Sequence, residues 1–132
     1  MSGETNLAQL LRTLRPVRQP GTYVFCSLPS LAGVDLSECI GMFREAEGPT
    51  VILPQATADR LQLPYSYRAA WLTLTVHSSL EAVGLTAAFA QALARAQISC
   101  NVVAAYYHDH IFVAATDADR ALQVLQELAA QE

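Results

Sequence analysis

Charge is scarce in this 132-residue chain, and concentrated positive charge scarcer still. Charged residues make up 15% of it against 52% hydrophobic, and 12 acidic side chains face 8 basic ones, for a net charge of −4. A chain without a cationic stripe lacks the footprint that binds nucleic-acid phosphates, so that class is excluded. Arg12, Arg15 and Arg18 form the only local basic group and read as a solvated helix end. The high apolar share excludes disorder and predicts that part of the surface is covered by partners. Cysteine is also sparse: Cys26, Cys39 and Cys100 are odd in number, unevenly spaced and without a CxxC pair. That argues against a disulfide framework or a zinc site and for reduced thiols, with Cys26 and Cys100 inside apolar strand-like runs. No uncharged apolar run reaches the ~20 residues of a membrane-spanning helix. The opening MSGETNLAQLLRTLRP has an acid before its apolar positions and no small-residue cleavage site, so it is not a signal peptide. The expected location is cytoplasmic. Gly33 and Gly41 stand alone, which leaves no phosphate loop or dinucleotide fingerprint.

What is present is a clear alternation of strand and helix patterns. Leu7, Leu10, Leu11 and Leu14 make a helical stripe behind a Thr5 or Asn6 cap, ended by Pro16. Thr22 to Ser27 reads as a strand, Leu28 to Ile40 as an irregular crossing with one helical turn after Asp35, and Met42–Glu47 and Thr50–Leu53 as a hairpin around Gly48-Pro49. Gln55 to Leu61 is a two-turn helix. Tyr65 to Val76 is a long strand in which Leu72, Leu74 and Val76 alternate with Thr73, Thr75 and His77. Ser78 or Ser79 caps the next helix, whose stripe is Leu85, Ala88, Phe89, Ala92, Leu93 and Ala96. Ile98–Tyr107 and Ile111–Ala115 read as strands joined by a turn at His108-Asp109, and Asp117 caps a final helix with Ala121, Leu122, Leu125, Leu128 and Ala129 inward.

This order predicts an α+β fold of two tandem ferredoxin-like units, antiparallel sheets with helices on one face. The expected division is 1–64, a degenerate unit with a leading helix, and 65–132, a more complete one. The Tyr65–Val76 strand would close the first unit, open the second, or do both.

Two segments carry a family resemblance, TVHSSLEAVGLTAAFA at Thr75–Ala90 and AYYHDHIFV at Ala105–Val113, with weaker support from GTYVFCSLP at Gly21–Pro29 and FREAEGPTVILP at Phe43–Pro54. The chain resembles the small stand-alone tandem ACT-domain proteins, relatives of the regulatory domains of aspartate kinases and of cytosolic arginine sensors. The resemblance implies a non-enzymatic regulatory or sensing module, allosteric in action and without a cofactor. It also implies homo-oligomers, often dimers, that bind a small effector, usually an amino acid, where the first strand turns into the first helix. Carried onto this chain, that loop is His77, Ser78, Ser79, Leu80, Glu81, Ala82, Val83 and Gly84, faced by Ile98, Ser99, Cys100 and Asn101. The loop reads Leu80-Glu81-Ala82-Val83-Gly84 where many amino-acid-binding members have Pro-Gly. Independently of family, the amides of a helix N-terminus suit a carboxylate. Glu81, Asn101 or strand carbonyls could accept from an ammonium.

Two other readings stand beside this one. The low charge also fits a ligand-free scaffold for self-association or docking on an enzyme. His108-Asp109-His110, with His77 as a third ligand, sketches a metal-dependent enzyme, but the plainer reading is a turn stabilised by Asp109 with both histidines at its rim. Tyr106 and Tyr107, on adjacent strand positions, are expected to face opposite ways, one inward and one outward. Ser78 or Ser79 beside His77 lacks a nucleophile elbow and makes a poor hydrolytic pair.

Overall fold

The computed structural model describes residues 7–75 and 84–130. Its elements are α1 (Leu7–Thr13), β1 (Arg15–Arg18), β2 (Tyr23–Ser27), β3 (Gly41–Glu45), β4 (Gly48–Pro54), α2 (Gln55–Arg60), β5 (Arg68–Thr75), α3 (Leu85–Arg95), β6 (Asn101–Ala104), β7 (Asp109–Ala114) and α4 (Ala118–Ala130). Short 3₁₀ turns lie at Leu36–Glu38 and Ala115–Asp117. This is the expected α+β architecture of two tandem ferredoxin-like units. The chain divides at Gln19 and Ala69, so that one unit is Pro20–Ala69 and the other joins the segment before Pro20 to the segment from Ala70 onward. The division expected from sequence, 1–64 and 65–132, keeps the leading helix with the first unit.

In the Pro20–Ala69 unit, β4 pairs antiparallel with β3 on one side and β2 on the other, and β2 pairs in turn with the first residues of β5 through Tyr23↔Ala69 and Val24↔Arg68. Alternate residues of β2 and β4 point the same way, so Val24, Cys26, Val51 and Leu53 form a core with Leu28 and Ala58 of α2. A single 3₁₀ turn stands where a ferredoxin-like unit has its first helix. Asp35 caps it: its Oδ1 accepts from the Ser37 amide at 2.9 Å and the Ser37 hydroxyl at 2.8 Å, holding the carboxyl below the usual range. The expected hairpin is present, but its turn is Ala46-Glu47 and not Gly48-Pro49, because Glu45 pairs with Gly48 and Arg44 with Pro49. Gly48 occupies φ +133°, and a side chain there would run into the Leu28 carbonyl oxygen, so glycine is needed inside the ladder rather than at the bend.

In the other unit the strand order is β6-β7-β5, with β1 on the free side of β5 in the register Arg15↔Thr75 to Arg18↔Leu72. The segment read as a solvated helix end is therefore a strand. Arg15-Pro16-Val17-Arg18 carries no apolar alternation of its own and is held by pairing across to β5. Leu72 and Leu74 of β5 and Ile111 and Val113 of β7 point to one face, where they meet Leu10 and Leu14 of α1, Phe89 and Leu93 of α3, and Ala121 and Leu125 of α4. Every one of these side chains is fully buried. Burying Leu, Ile, Val and Phe at about 1.5–3 kcal/mol each makes this the dominant cohesive term of the unit. Thus β5 serves both units, its first residues in one and the rest in the other.

The second hairpin also differs from expectation. β6 ends at Ala104, which pairs with Asp109, and Ala105 to His108 form the loop, closed by the Ala105 amide donating to the His108 carbonyl at 3.0 Å. Tyr106 and Tyr107 therefore lie at the loop tip rather than on opposite strand faces. Both are about three-quarters exposed, and their rings meet edge-on at 5.0 Å. All three cysteines are free, with Cys26 buried and Cys39 and Cys100 partly so. Among the described residues no helix is long and apolar enough to cross a membrane.

Candidate functional site

The loop expected to bind an effector is bounded by two described ends. β5 runs to Thr75 and α3 opens at Leu85 behind Gly84. His77, Ser78, Ser79, Leu80, Glu81, Ala82 and Val83 lie outside the described residues, and with them the serine caps expected at Ser78 or Ser79. Gly84 is the N-cap of α3. It holds a left-handed conformation, φ +96° and ψ −15°, and its carbonyl accepts from the Ala88 amide at 2.9 Å. A glycine cap offers no side-chain oxygen to the first-turn amides of α3, which are the groups an anionic ligand would seek. A Cβ on Gly84 would stand 3.3 Å from Leu7 Cδ2 of α1.

The other half of the expected site is at the head of β6. Ser99 and Asn101 are exposed, and Ile98 is buried in the core. Asn101 pairs with Phe112 and donates from Nδ2 to its carbonyl at 3.3 Å. Cys100 lies between them, half-buried, and burial pushes its thiol up to about 11, so it stays protonated and unreactive near neutral pH.

A second polar constellation lies on the face of β5 and β7 opposite the leucine core. Trp71 Nε1 donates to His110 Nδ1 at 3.0 Å, Thr73 Oγ1 stands 3.1 Å from the same nitrogen, and Gln19 Nε2 donates to Thr73 Oγ1 at 2.9 Å. The Trp71 ring leans against His110 at 5.6 Å and stacks on Phe112 at 6.1 Å. The two imidazoles of the histidine cluster do converge: the rings of His108 and His110 sit 6.4 Å apart, nearly perpendicular. His110 is not a rim residue, however, because it bonds inward to Trp71 and Thr73. Asp109 begins β7 and is half-buried, with its carboxyl raised by desolvation against the pull of His110 and His108. Sequence reading named His110 and missed its partners. The alternation that places Trp71 and Thr73 on the face away from Leu72 and Leu74 was the available signal.

Among the described residues no three His, Cys, Asp or Glu side chains converge as metal ligands, and His77 lies outside them. A cleft of about 320 Å³ beside the α3–α4 contact is lined by Ala92, Arg95, Ala96, Val124, Glu127 and Leu128. No sequence motif marked it.

Comparison with known proteins returns two consecutive ACT-domain matches, one over residues 2–70 and one over residues 66–127. A Vibrio cholerae protein of unknown function, described as a possible transport protein, is 48% identical, with a TM-score of 0.84 over 93% of this chain and 95% of that one. Aspartate kinase from Clostridium acetobutylicum shares the fold at 11% identity and a TM-score of 0.69, over 95% of this chain and 36% of the kinase. The regulatory subunit of aspartate kinase from Thermus thermophilus, in a ligand-free form, shares it at 10% identity and a TM-score of 0.59, over 86% of this chain and 95% of that one. No curated protein matched the sequence.

Proposed function

Since the chain belongs to the ACT-domain family, whose domains are regulatory small-ligand-binding modules, we propose that it is itself a non-enzymatic sensor of an amino acid. The ligand would bind at the strand-to-helix loop His77–Gly84, with Ser99 and Asn101 alongside. The observation that carries the reading is Gly84 at the head of α3, a left-handed cap without a side-chain oxygen and the last residue of the loop that the resemblance marks. A ligand carboxylate takes the first-turn amides and the positive end of α3. Its ammonium takes Glu81, strand carbonyls or Asn101, whose Nδ2 is engaged with Phe112 and whose amide oxygen is the group left to offer. Binding would act by favouring one of two arrangements of paired copies.

The test is a thermal-shift screen of the common amino acids, with light scattering on the same samples. At about 100 times its Kd, the right ligand adds roughly 2.7 kcal/mol of stability, a rise of several degrees. Glu81→Ala should reduce that rise without lowering the melting temperature of the free protein. A flat response to every amino acid would refute the effector reading, and a strict monomer at high concentration would refute the pairing.

A further inference from the structure

The bonding around His110 can be sustained in one protonation state. Tryptophan has one polar hydrogen and no acceptor, and that of Trp71 points at His110 Nδ1 over 3.0 Å. Nδ1 is therefore the lone-pair nitrogen, and the ring proton sits on Nε2. Thr73 Oγ1, 3.1 Å from Nδ1, already accepts from Gln19, which leaves its own hydrogen to turn toward the imidazole. Two donors thus converge on Nδ1. A second ring proton has to go to that nitrogen, where it would oppose the Trp71 N–H.

We propose that His110 is a proton-operated latch on the sheet face of β5 and β7: neutral, it holds Trp71 and Thr73, and protonated at Nδ1 it releases Trp71. Around it stand Trp71 and Thr73 of β5, Gln19 following β1, Val103 paired across on β6, His108 in the loop and Asp109 on its own strand. Of these only His108 and Asp109 titrate. Burial is the main influence that holds His110 below its usual 6.5; the His108 charge adds to it, and Asp109 opposes both. The neutral form is the folded-state preference, so the stabilisation is present above 6.5 and is lost as pH falls through the lower folded-state value.

Trp71 is the single tryptophan, so emission excited beyond the absorption of the five tyrosines reports on the surroundings of this one ring. The intact protein is titrated from about pH 8 to about pH 4, the range in which histidine charge changes, with circular dichroism recorded alongside. The expected result is an emission transition centred below 6.5 with unchanged dichroism. It should vanish in His110→Gln, whose amide oxygen can accept from Trp71 but does not titrate, and persist in His108→Asn with a higher midpoint. Independently of any variant, long-range ¹H–¹⁵N spectra of the wild-type histidine rings should show His110 as the Nε2–H tautomer at the upper end of the range. An Nδ1–H tautomer, no wild-type transition, or a transition unchanged in His110→Gln would each overturn the proposal.

Discussion

Substituting Gly84 by alanine separates two ways in which a small residue can be required. The first is backbone strain: at φ +96° an L-residue is in left-handed space, which costs about 1–2 kcal/mol. The second is crowding, since the new Cβ would lie 3.3 Å from Leu7 Cδ2. Leu7 is 37% exposed and is approached at the far end of its side chain, so it can rotate away at little cost. Strain should therefore dominate, and Gly84→Ala should lose about 1–2 kcal/mol, a fall in Tm of roughly 3–8 °C. Gly84→Asn should lose about half as much, because asparagine tolerates left-handed backbone. The assay is urea unfolding of Gly84→Ala, Leu7→Ala and the double variant as a cycle. If strain is the cause, the two substitutions add to within about 0.5 kcal/mol. An alanine variant as stable as the wild type would refute the strain argument. Recovery of most of the loss in the Leu7→Ala background would assign it to crowding instead.

Two further outcomes follow from burial. Leu125 is fully buried between α4 and the sheet, so Leu125→Ala should cost about 2–5 kcal/mol in urea unfolding. The exposed Leu36→Ala should stay within about 0.5 kcal/mol, and similar losses for the two would contradict the core assignment. Cys100, raised from 9.0 to about 11, carries about 100-fold less thiolate than a free thiol near neutral pH. Thiolate nucleophilicity rises with pKa and offsets about tenfold of that, so mass-resolved alkylation at pH 8 should label it at least roughly tenfold more slowly in native than in urea-unfolded protein, and equal rates would refute the shielding of this thiol.

The elements that could be read from sequence are those whose period is set by burial. Leu85, Phe89 and Leu93, and Ala121 and Leu125, recur at helical spacing because one face of each helix meets the leucine face of β5. β1 was missed because Arg15-Pro16-Val17-Arg18 becomes a strand only through its pairing with β5. Tyr106 and Tyr107 were misplaced because aromatic β-preference is a local signal. The Ala104↔Asp109 register, which ends β6 before them, is not local. The same distinction governs the sites. Gly84 was legible as the last residue of the expected loop, whereas the contact of Trp71 with His110 depends on two strands lying side by side. His77–Val83 stay an expectation from resemblance, since they lie outside the described residues.

The interrupted construction of one unit has a consequence for how the protein is made. Residues from Pro20 to Ala69 leave the ribosome as a continuous block whose strands pair with sequence neighbours, β2 with β4 and β3 with β4. The other unit is built from the segments on either side of that block: β1 has no partner strand until β5 emerges, and α1 reaches its contact with α4 only after α4 is complete. Contacts so distant along the chain close slowly, and domains synthesised first tend to fold first. The inserted block is thus placed to fold during synthesis, while Leu10 and Leu14 wait, unburied, for the C-terminal half to arrive.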